Sequence, residues 1–501
     1  MILPLGFGIR QGDQMTGWIT IGSLATGAVL FGVVQHVAIA PLMWVSLALL
    51  VHASRMTAAG AGLSLLYVAL YTAMVIGNRG IIPVPGAAYY AVNAAMTLTM
   101  WLAFAADRLA GPRLTGVTAT LVFPLAWTAI EFLRSHSAAV STWGSIAYTQ
   151  ANHLTLMQVA SVTGIWGVTF LMTWSASSIQ FAAQRPWVDA RVPVLVCASV
   201  VVAVLIGGAA RLALAATDRP TIRMATVNRP VDLFAPGELT RLASDTLRPD
   251  ERPVISAKLA RLQDEMLSQT EREARAGAQV VAWPEVSVAI FAADEPAFLQ
   301  RAQAVAAAGR IHLAMGMNTV HPGEKPPSEN KLVLIDPEGR VVTAYEKSHP
   351  VVGWEASVIR IGAPDLPTVD TSIGRIAGAI CNDASFPPFT RQAALKGADL
   401  LIEPANDWRE IAARHFQMDG IRAIENGMPL LRPASSGMSG AFDPWGRVLA
   451  KADFFAAGER SITVQMPMGR IWTLYAQIGD VFAWLCTATL TAILLMAYMK
   501  K

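Results

Sequence analysis

The chain has 501 residues, of which 53% are hydrophobic and only 15% charged; an ordinary soluble domain carries about 25% charged residues. That composition excludes a disordered chain and argues against a wholly soluble enzyme. Thirty-nine basic against 36 acidic residues leave a net charge of +3, too weak a field to suggest nucleic acid as a partner.

A membrane-spanning helix needs roughly 20 apolar residues. Seven such segments are predicted in the first part of the chain, near 17–35, 37–54, 58–77, 86–106, 115–134, 156–182 and 192–214, and an eighth near 477–498. Lys and Arg beside spanning helices stay in the cytoplasm. One set of connections carries Arg10, Arg55, Arg108, Arg113, Arg185, Arg191, Lys500 and Lys501, and the opposite set Arg79 and Arg134. The first set is therefore expected inside, and seven crossings deliver the middle of the chain to the outer side, the periplasm of a bacterium. The expected organisation is a seven-span bundle over 1–216, an extracytoplasmic domain over 217–470 and a C-terminal spanning helix within 471–501. Glu131 and Arg134 in PLAWTAIEFLRS stand three apart on one helix face, where they either pair or snorkel at the outer boundary.

The middle section alternates. TIRMATV, QVVAWP, IHLAMGMN, KLVLID, GRVVTAYE, IGRIAGAIC, ADLLIEPA, PLLRPAS, SGAFDP and SITVQM read as strands, and residues 252–276, 294–309, 387–397 and 411–425 as amphipathic helices. DPEGR and DPWGR are turns between paired strands. Such a mixture is a layered α/β or α+β domain inserted in a multi-pass α-helical membrane bundle of about eight spans.

Three cysteines are too few and too scattered for a disulfide scaffold or a zinc site. Cys197 and Cys486 lie in apolar runs, but Cys381 follows the strand IGRIAGAI and precedes Asn382, Asp383 and a Phe-Pro-Pro turn. Nucleophiles are commonly displayed where a strand gives way to a loop. A thiol acts only as thiolate, which calls for a base or a nearby cation. Glu285 closes QVVAWPE and could be that base if burial raises its pKa; Lys347 ends GRVVTAYEK and could face a developing oxyanion. Taken singly, each has an ordinary alternative: an inert thiol, a solvated loop acid, a surface lysine. His349 and His415 read as structural hydrogen-bonding groups, the helix around His415 as a packed one, and Asn406, Asp407 and Trp408 as a pocket edge. No phosphate-cradling or dinucleotide fingerprint occurs, so neither metal nor cofactor is expected.

Together, VVAWPE, YEKSH and GAICND resemble the Glu-Lys-Cys triad of the nitrilase (carbon-nitrogen hydrolase) superfamily in its chain order. A domain of that kind between seven amino-terminal spans and one carboxy-terminal span is similar to the bacterial apolipoprotein N-acyltransferases. The likeness runs through PLAWTAIEFLRS, WGSIAYTQ, LMQVASVTGIWGVTFL, ANDW, HFQMDGIRAIENGMPLLRPASSG and FDPWGRV. The resemblance implies an αββα sandwich with Cys381 as nucleophile, Glu285 as base, and Lys347 with a backbone N–H after the cysteine holding the oxyanion. It also implies that Glu355, in HPVVGWE, orients the triad, with Asn382 and Asp383 supporting and Trp354, Asn406 and Trp408 bordering the substrate. The implied reaction passes an acyl chain from a phospholipid through a Cys thioester to the α-amino group of a lipoprotein's diacylglyceryl-cysteine. The expected setting is the cytoplasmic (inner) membrane, the expected oligomeric state a monomer. The chain departs from the family's usual Cys-Tyr-Glu at Cys381-Asn382-Asp383, from its Lys-x-His-Leu-Val-Pro-Phe-Gly-Glu at KSHPVVGWE, and from its Gln-x-Asn at TVNRP. These departures surround the pocket, so a divergent membrane-bound amidase or hydrolase and a non-catalytic envelope paralogue stand as the alternatives.

Overall fold

The computed structural model describes residues 11–34, 39–137, 139–216, 219–230, 233–456, 458 and 460–499. Arg10, Lys500 and Lys501, three of the basic residues that fix the expected orientation, lie outside these, as does the expected boundary at 217.

Helices occupy every predicted apolar segment: α1 (Gln11–Val33), α2 (Ala40–Met56), α3 (Ala59–Gly77), α4 (Ala87–Ala110), α5 (Gly116–Ser135), α6 (Leu154–Met157), α7 (Ala160–Thr163), α8 (Trp166–Ala183) and α9 (Trp187–Ala213), with a last one at Val481–Met499. Among the described residues four are long and apolar enough to cross a membrane, namely α3, α5, α9 and Val481–Met499. The sixth predicted segment is not one straight helix. Residues Leu154–Thr163 and Trp166–Ala183 meet at 117° and make a fifth crossing only if counted as one bent span. Gly164, at φ +64°, forms the corner, and a Cβ there would stand 2.6 Å from the ring of Tyr475, so close approach and backbone angle both require glycine.

Glu131 and Arg134 are not an ion pair. Buried Glu131 accepts from Trp127 Nε1 (3.0 Å), Ser145 Oγ (2.7 Å), Ile146 N (3.0 Å) and Thr169 Oγ1 (2.8 Å). A carboxylate in an apolar bundle is tolerated when its lone pairs are filled, and these donors tie the loop after α5 to α8. Arg134 turns instead to Thr99. At the other end of the bundle, Arg55 bonds Asp107 through two contacts of 2.8 Å, and Arg108 donates to the Arg55 carbonyl.

The middle of the chain forms a sandwich. Its strands are β1 (Thr221–Thr226), β2 (Val280–Ala282), β3 (Val288–Phe291), β4 (His312–Val320), β5 (Ser328–Ile335), β6 (Val341–Glu346), β7 (Thr368–Thr371), β8 (Gly374–Gly378), β9 (Leu400–Ile402), β10 (Ala405–Asn406), β11 (Leu430–Arg432), β12 (Ala434–Ser435), β13 (Met438–Phe442), β14 (Val448–Asp453) and β15 (Thr463–Pro467). Its helices are α10 (Glu238–Ala243), α11 (Arg252–Arg275), α12 (Glu295–Gly309), α13 (Trp354–Val358), α14 (Pro387–Leu395), α15 (Arg409–Asn426) and α16 (Leu474–Ile478), and Val481–Met499 is α17. One sheet has the order β15-β1-β2-β4-β5-β6, with β3 also on β4; the other runs β14-β13-β11-β9-β8-β7. Parallel pairs fill the centre of each, β1/β2/β4 and β8/β9/β11.

Side chains alternate along a strand, and the alternation sorts the core. Val280 and Ala282 face the opposing sheet, while Val281 and Trp283 pack outward on Leu262 and Met266 of α11 and Phe298 of α12. Both faces are therefore apolar, which is why these strands read as unbroken hydrophobic runs. Helix α15 is buried on two sides. Its Phe416 and Ala423 join the sandwich core, and its Met418, Ile421 and Ile424 join the core of the membrane bundle. At ~1.5–3 kcal/mol per fully buried apolar side chain, this shared helix fastens the sandwich to the bundle.

Candidate active site

Glu285 stands just past the end of β2. Trp283 N still donates to Ala314 O of β4 at 2.8 Å; Pro284 has no N–H and ends the ladder. Val286 then takes φ +43°, an unfavourable angle for a β-branched residue, and the chain turns back on itself. The turn presses against β4 at Gly316, where a Cβ would lie 2.1 Å from Pro284 O and 2.7 Å from Glu285 Cα. Only glycine leaves room for the carboxylate's backbone.

Lys347 follows β6, and its N–H donates to Asn330 O on β5 at 2.9 Å. Its Nζ lies 2.8 Å from Glu285 Oε1 and 2.7 Å from Glu355 Oε1. Asn330 Nδ2 also donates to Glu285 Oε1, at 2.6 Å. Glu355, in the first turn of α13, accepts from Val351 N at 2.6 Å through its other oxygen. A buried row of carboxylate, ammonium and carboxylate results. Burial raises the Glu285 carboxyl above its ordinary range against the pull of Lys347, with the charge of Glu355 raising it further. Burial opposes the charge on Lys347, but Glu285 and Glu355 outweigh it and hold the ammonium well above its usual pKa.

Cys381 opens a short turn after β8 with φ +48°, a strained conformation for a non-glycine residue that persists only when its surroundings enforce it. They do so through Asp383, fully buried, which accepts from Ile380 N (3.0 Å), Tyr345 Oη (2.8 Å) and His349 N (2.8 Å) and meets His349 Nδ1 at 2.9 Å. Asn382 Nδ2 donates to His349 O at 3.0 Å. The Cys381 turn is thereby bound to the segment that carries Lys347. Burial, and then the nearby charge of Glu285, push the Cys381 thiol well above its ordinary pKa, so the resting sulfur is protonated. Passing that proton to Glu285 exchanges one anion for another and leaves the pocket's net charge unchanged, which in a low-dielectric site avoids creating new charge.

The bundle reaches into the same place. Ser141 Oγ and Thr142 Oγ1 donate to Ser385 O at 2.5 and 2.7 Å, and Trp143 Nε1 to Ser385 Oγ at 3.0 Å. Behind the sulfur lies a buried ionic network. Arg432 meets Glu403 at 2.8 Å, Asp407 at 2.7 Å and also Asp419, and Asp407 Oδ1 lies 2.7 Å from His415 Nδ1. Cys381 Sγ, an oxygen of Asp407 and a ring nitrogen of His415 all lie within 4.8 Å of one another. Burial would raise Asp407, but Arg432 and His415 outweigh it and hold the carboxyl below its usual range. These side chains are of types that bind metals, yet the guanidinium of Arg432 already occupies the carboxylates as their counter-ion, and a second cation there is repelled.

The structure thus gathers Glu285, Lys347, Glu355, Cys381, Asn382 and Asp383. Asn406 stands behind them, its Oδ1 accepting from Ser435 Oγ at 3.0 Å. Trp354 and Trp408 are engaged elsewhere, the first half-exposed and donating to Ser244 Oγ at 3.1 Å, the second to Gly80 O in the α3–α4 loop at 2.7 Å. Asp407, expected at a pocket edge, is buried in the network. Sequence reasoning missed Asn330, Gly316, Arg432 and the loop 141–143. The last lies 244 residues from its partner, and no local spacing announces such a contact.

Residues 26–178 match the profile of the apolipoprotein N-acyltransferase N-terminal domain, and residues 252–475 that of carbon-nitrogen hydrolases. The apolipoprotein N-acyltransferase of Geobacter metallireducens is 26% identical over 416 residues, 77% of this chain and 75% of that protein. That of Rhodopseudomonas palustris is 25% identical over 411 residues, 75% and 72% of the two chains. Apolipoprotein N-acyltransferase 2 of Treponema pallidum is 26% identical over 421 residues, 73% of each. Among solved structures, an amidase of the nitrilase superfamily from Nesterenkonia aligns with a TM-score of 0.41 at 19% identity, covering 54% of this chain and 98% of its own. With both halves of the architecture matched in order, the chain belongs to the apolipoprotein N-acyltransferases of the nitrilase superfamily.

Proposed function

We propose that the protein transfers an acyl chain from a phospholipid to the α-amino group of the diacylglyceryl-modified amino-terminal cysteine of lipoproteins, through a thioester on Cys381. The observation that carries the reading is a thiol on an enforced left-handed turn, beside the buried Glu285–Lys347–Glu355 row and braced by a loop of an apolar bundle.

In the first half-reaction Glu285 takes the proton from Sγ, and the sulfur attacks the ester carbonyl carbon. Lys347, with the backbone N–H that follows the cysteine, stabilises the oxyanion. The C–O bond breaks, Glu285 returns the proton to the leaving oxygen, and lysophospholipid departs. In the second, the lipoprotein amine attacks the thioester and the thiol is restored. Glu355 positions Lys347, and Asp383 with Asn382 hold the nucleophile turn. The same reading has the bundle and α17 crossing a bacterial inner membrane eight times, with the sandwich on the periplasmic or outer side of a monomer. The basic residues Arg55, Arg108, Arg113, Arg185 and Arg191 support that orientation, since they sit at helix ends and turns of the bundle away from the loops that touch the sandwich.

Intact mass tests the reading. Purified protein incubated with phosphatidylethanolamine is expected to gain one acyl chain, Cys381→Ser to gain none, and a diacylglyceryl-cysteine peptide to discharge the adduct as N-acyl product. Discharge by water alone would mark a hydrolase, and no adduct would overturn the acyltransferase reading.

A further inference from the structure

The two half-reactions differ in proton count. Forming the thioester moves one proton, from sulfur to the leaving alkoxide oxygen, and a single base, Glu285, can take it and give it back. An α-amino group reaches the site as an ammonium at neutral pH. Turning it into an amide removes two protons, one to expose the lone pair and one from the nitrogen after it has bonded to carbon. The sulfur recovers one of these as the C–S bond breaks, and the other must go elsewhere. Lys347, held as an ammonium between two carboxylates, is no acceptor.

His415 meets the requirement. Its ring is 1% exposed and its Nδ1 is 2.7 Å from Asp407 Oδ1, so Asp407 accepts Nδ1–H and leaves the lone pair on Nε2. Among the described residues, buried Nε2 has no hydrogen-bond partner. Such an unmade bond is costly, and a group left that way beside a nucleophile calls for an explanation. A ring nitrogen of His415 lies within 4.8 Å of Sγ. The imidazole thus borders the space through which an acceptor amine approaches a thioester on Sγ, and a general base acts over ~2.6–3.2 Å. Trp143 packs on the ring with centroids 5.4 Å apart, and Arg432 Nη2 lies 3.2 Å from Nδ1; with Glu403 and Asp419 on Arg432, the surroundings fix the imidazole.

We propose that His415, oriented by Asp407, is a second general base, used only in aminolysis; the inference rests on the acyltransferase reading. His415 Nε2 takes the first proton from the acceptor's ammonium. The freed lone pair forms the C–N bond, and the C–S electron pair returns to sulfur. Glu285 carries the second proton from nitrogen to Sγ, and His415 releases the first to water as product leaves.

The test compares native protein with His415→Gln, which can still donate to Asp407 but has no basic nitrogen, at neutral pH. With phosphatidylethanolamine alone, native protein forming the adduct establishes the underlying reading before the variant is judged. The variant is expected still to form the thioester and release lysophospholipid, and then to discharge the adduct to a diacylglyceryl-cysteine peptide about a hundredfold more slowly than native protein. Hydroxylamine, a weakly basic amine that is unprotonated at neutral pH, is expected to discharge both adducts equally, and raising the pH toward the peptide amine's own pKa to restore peptide transfer. Native-like transfer by His415→Gln overturns the proposal. So does loss of thioester formation, or equal slowing with hydroxylamine, either of which makes His415 structural.

Discussion

Trp143 Nε1 lies 3.0 Å from Ser385 Oγ, so a loop of the membrane bundle holds the turn on which Cys381 is displayed. The bundle therefore braces the candidate active site directly. Trp143→Phe keeps an aromatic ring near His415 and removes the donor. Losing one hydrogen bond of ~1–1.5 kcal/mol at the nucleophile turn is expected to slow thioester formation about tenfold, with the thermal midpoint changed by only a few degrees. Lysophospholipid release timed in a single turnover checks it, and a native rate would show that the contact serves stability alone.

On the proposed mechanism, the pH dependence of thioester formation follows from Glu285, which acts as base only when ionised. Its carboxyl is raised by burial and by the charge of Glu355, against Lys347, so the acid limb of the rate profile is expected above the ordinary glutamate range. Glu355→Gln removes a negative charge that disfavours ionised Glu285. The limb should therefore move to lower pH, while the maximal rate falls because Lys347 loses a partner. Single-turnover rates across the acid range decide it; a limb that stays in place would separate Glu355 from the base.

Gly316 sits under the turn that carries Glu285. An alanine Cβ would stand 2.1 Å from a backbone oxygen, and backbone cannot yield as a flexible side chain does. Gly316→Ala is expected to destabilise the sandwich by about 1–3 kcal/mol and to reduce thioester formation more than a hundredfold by displacing the base. Gly207→Ala on α9, with open space at its Cβ, is the control. Calorimetry and adduct mass read the two effects, and native activity in Gly316→Ala would refute the packing argument.

Glu425 joins sandwich to bundle: Oε1 accepts from Ile165 N at 3.0 Å and Oε2 lies 2.7 Å from Arg422 Nη1. Burial pushes its carboxyl up to about 7 from an ordinary 4.5, with Arg422 opposing. The folded state thus favours the protonated form. Stability from this group is fully present below pH 4.5 and is lost as pH rises through about 7, by on the order of 3 kcal/mol. Glu425→Gln fixes the neutral form and escapes that loss. Relative to native protein, its unfolding midpoint is expected to rise by several degrees between pH 5 and pH 8. Parallel midpoints at both pH values would show that the carboxyl is not raised.

Much of the molecule was legible because the signals are local. Twenty apolar residues in a row, the short unbroken apolar run VVAWP and turn residues in DPEGR and DPWGR are properties of neighbours in the chain, and the helices and strands appear where those patterns fall. Glu285, Lys347 and Cys381 were visible because each ends a strand, and resemblance joined them. The broken helix at Gly164 was less legible, since hydropathy registers composition and not the close approach of Tyr475.

By itself, the sequence determined the apolar segments, the strands and helices of the inserted domain and the strand-end positions of Glu285, Lys347 and Cys381. Tertiary structure alone decided that Glu131 serves the loop after α5 and not Arg134, that Asp383 locks the strained cysteine, and that Trp143 and His415 meet beside the sulfur. The reason is physical: a periodic pattern is written in adjacent residues, whereas the strength and pKa of a buried polar group depend on which distant donors and charges burial brings to it.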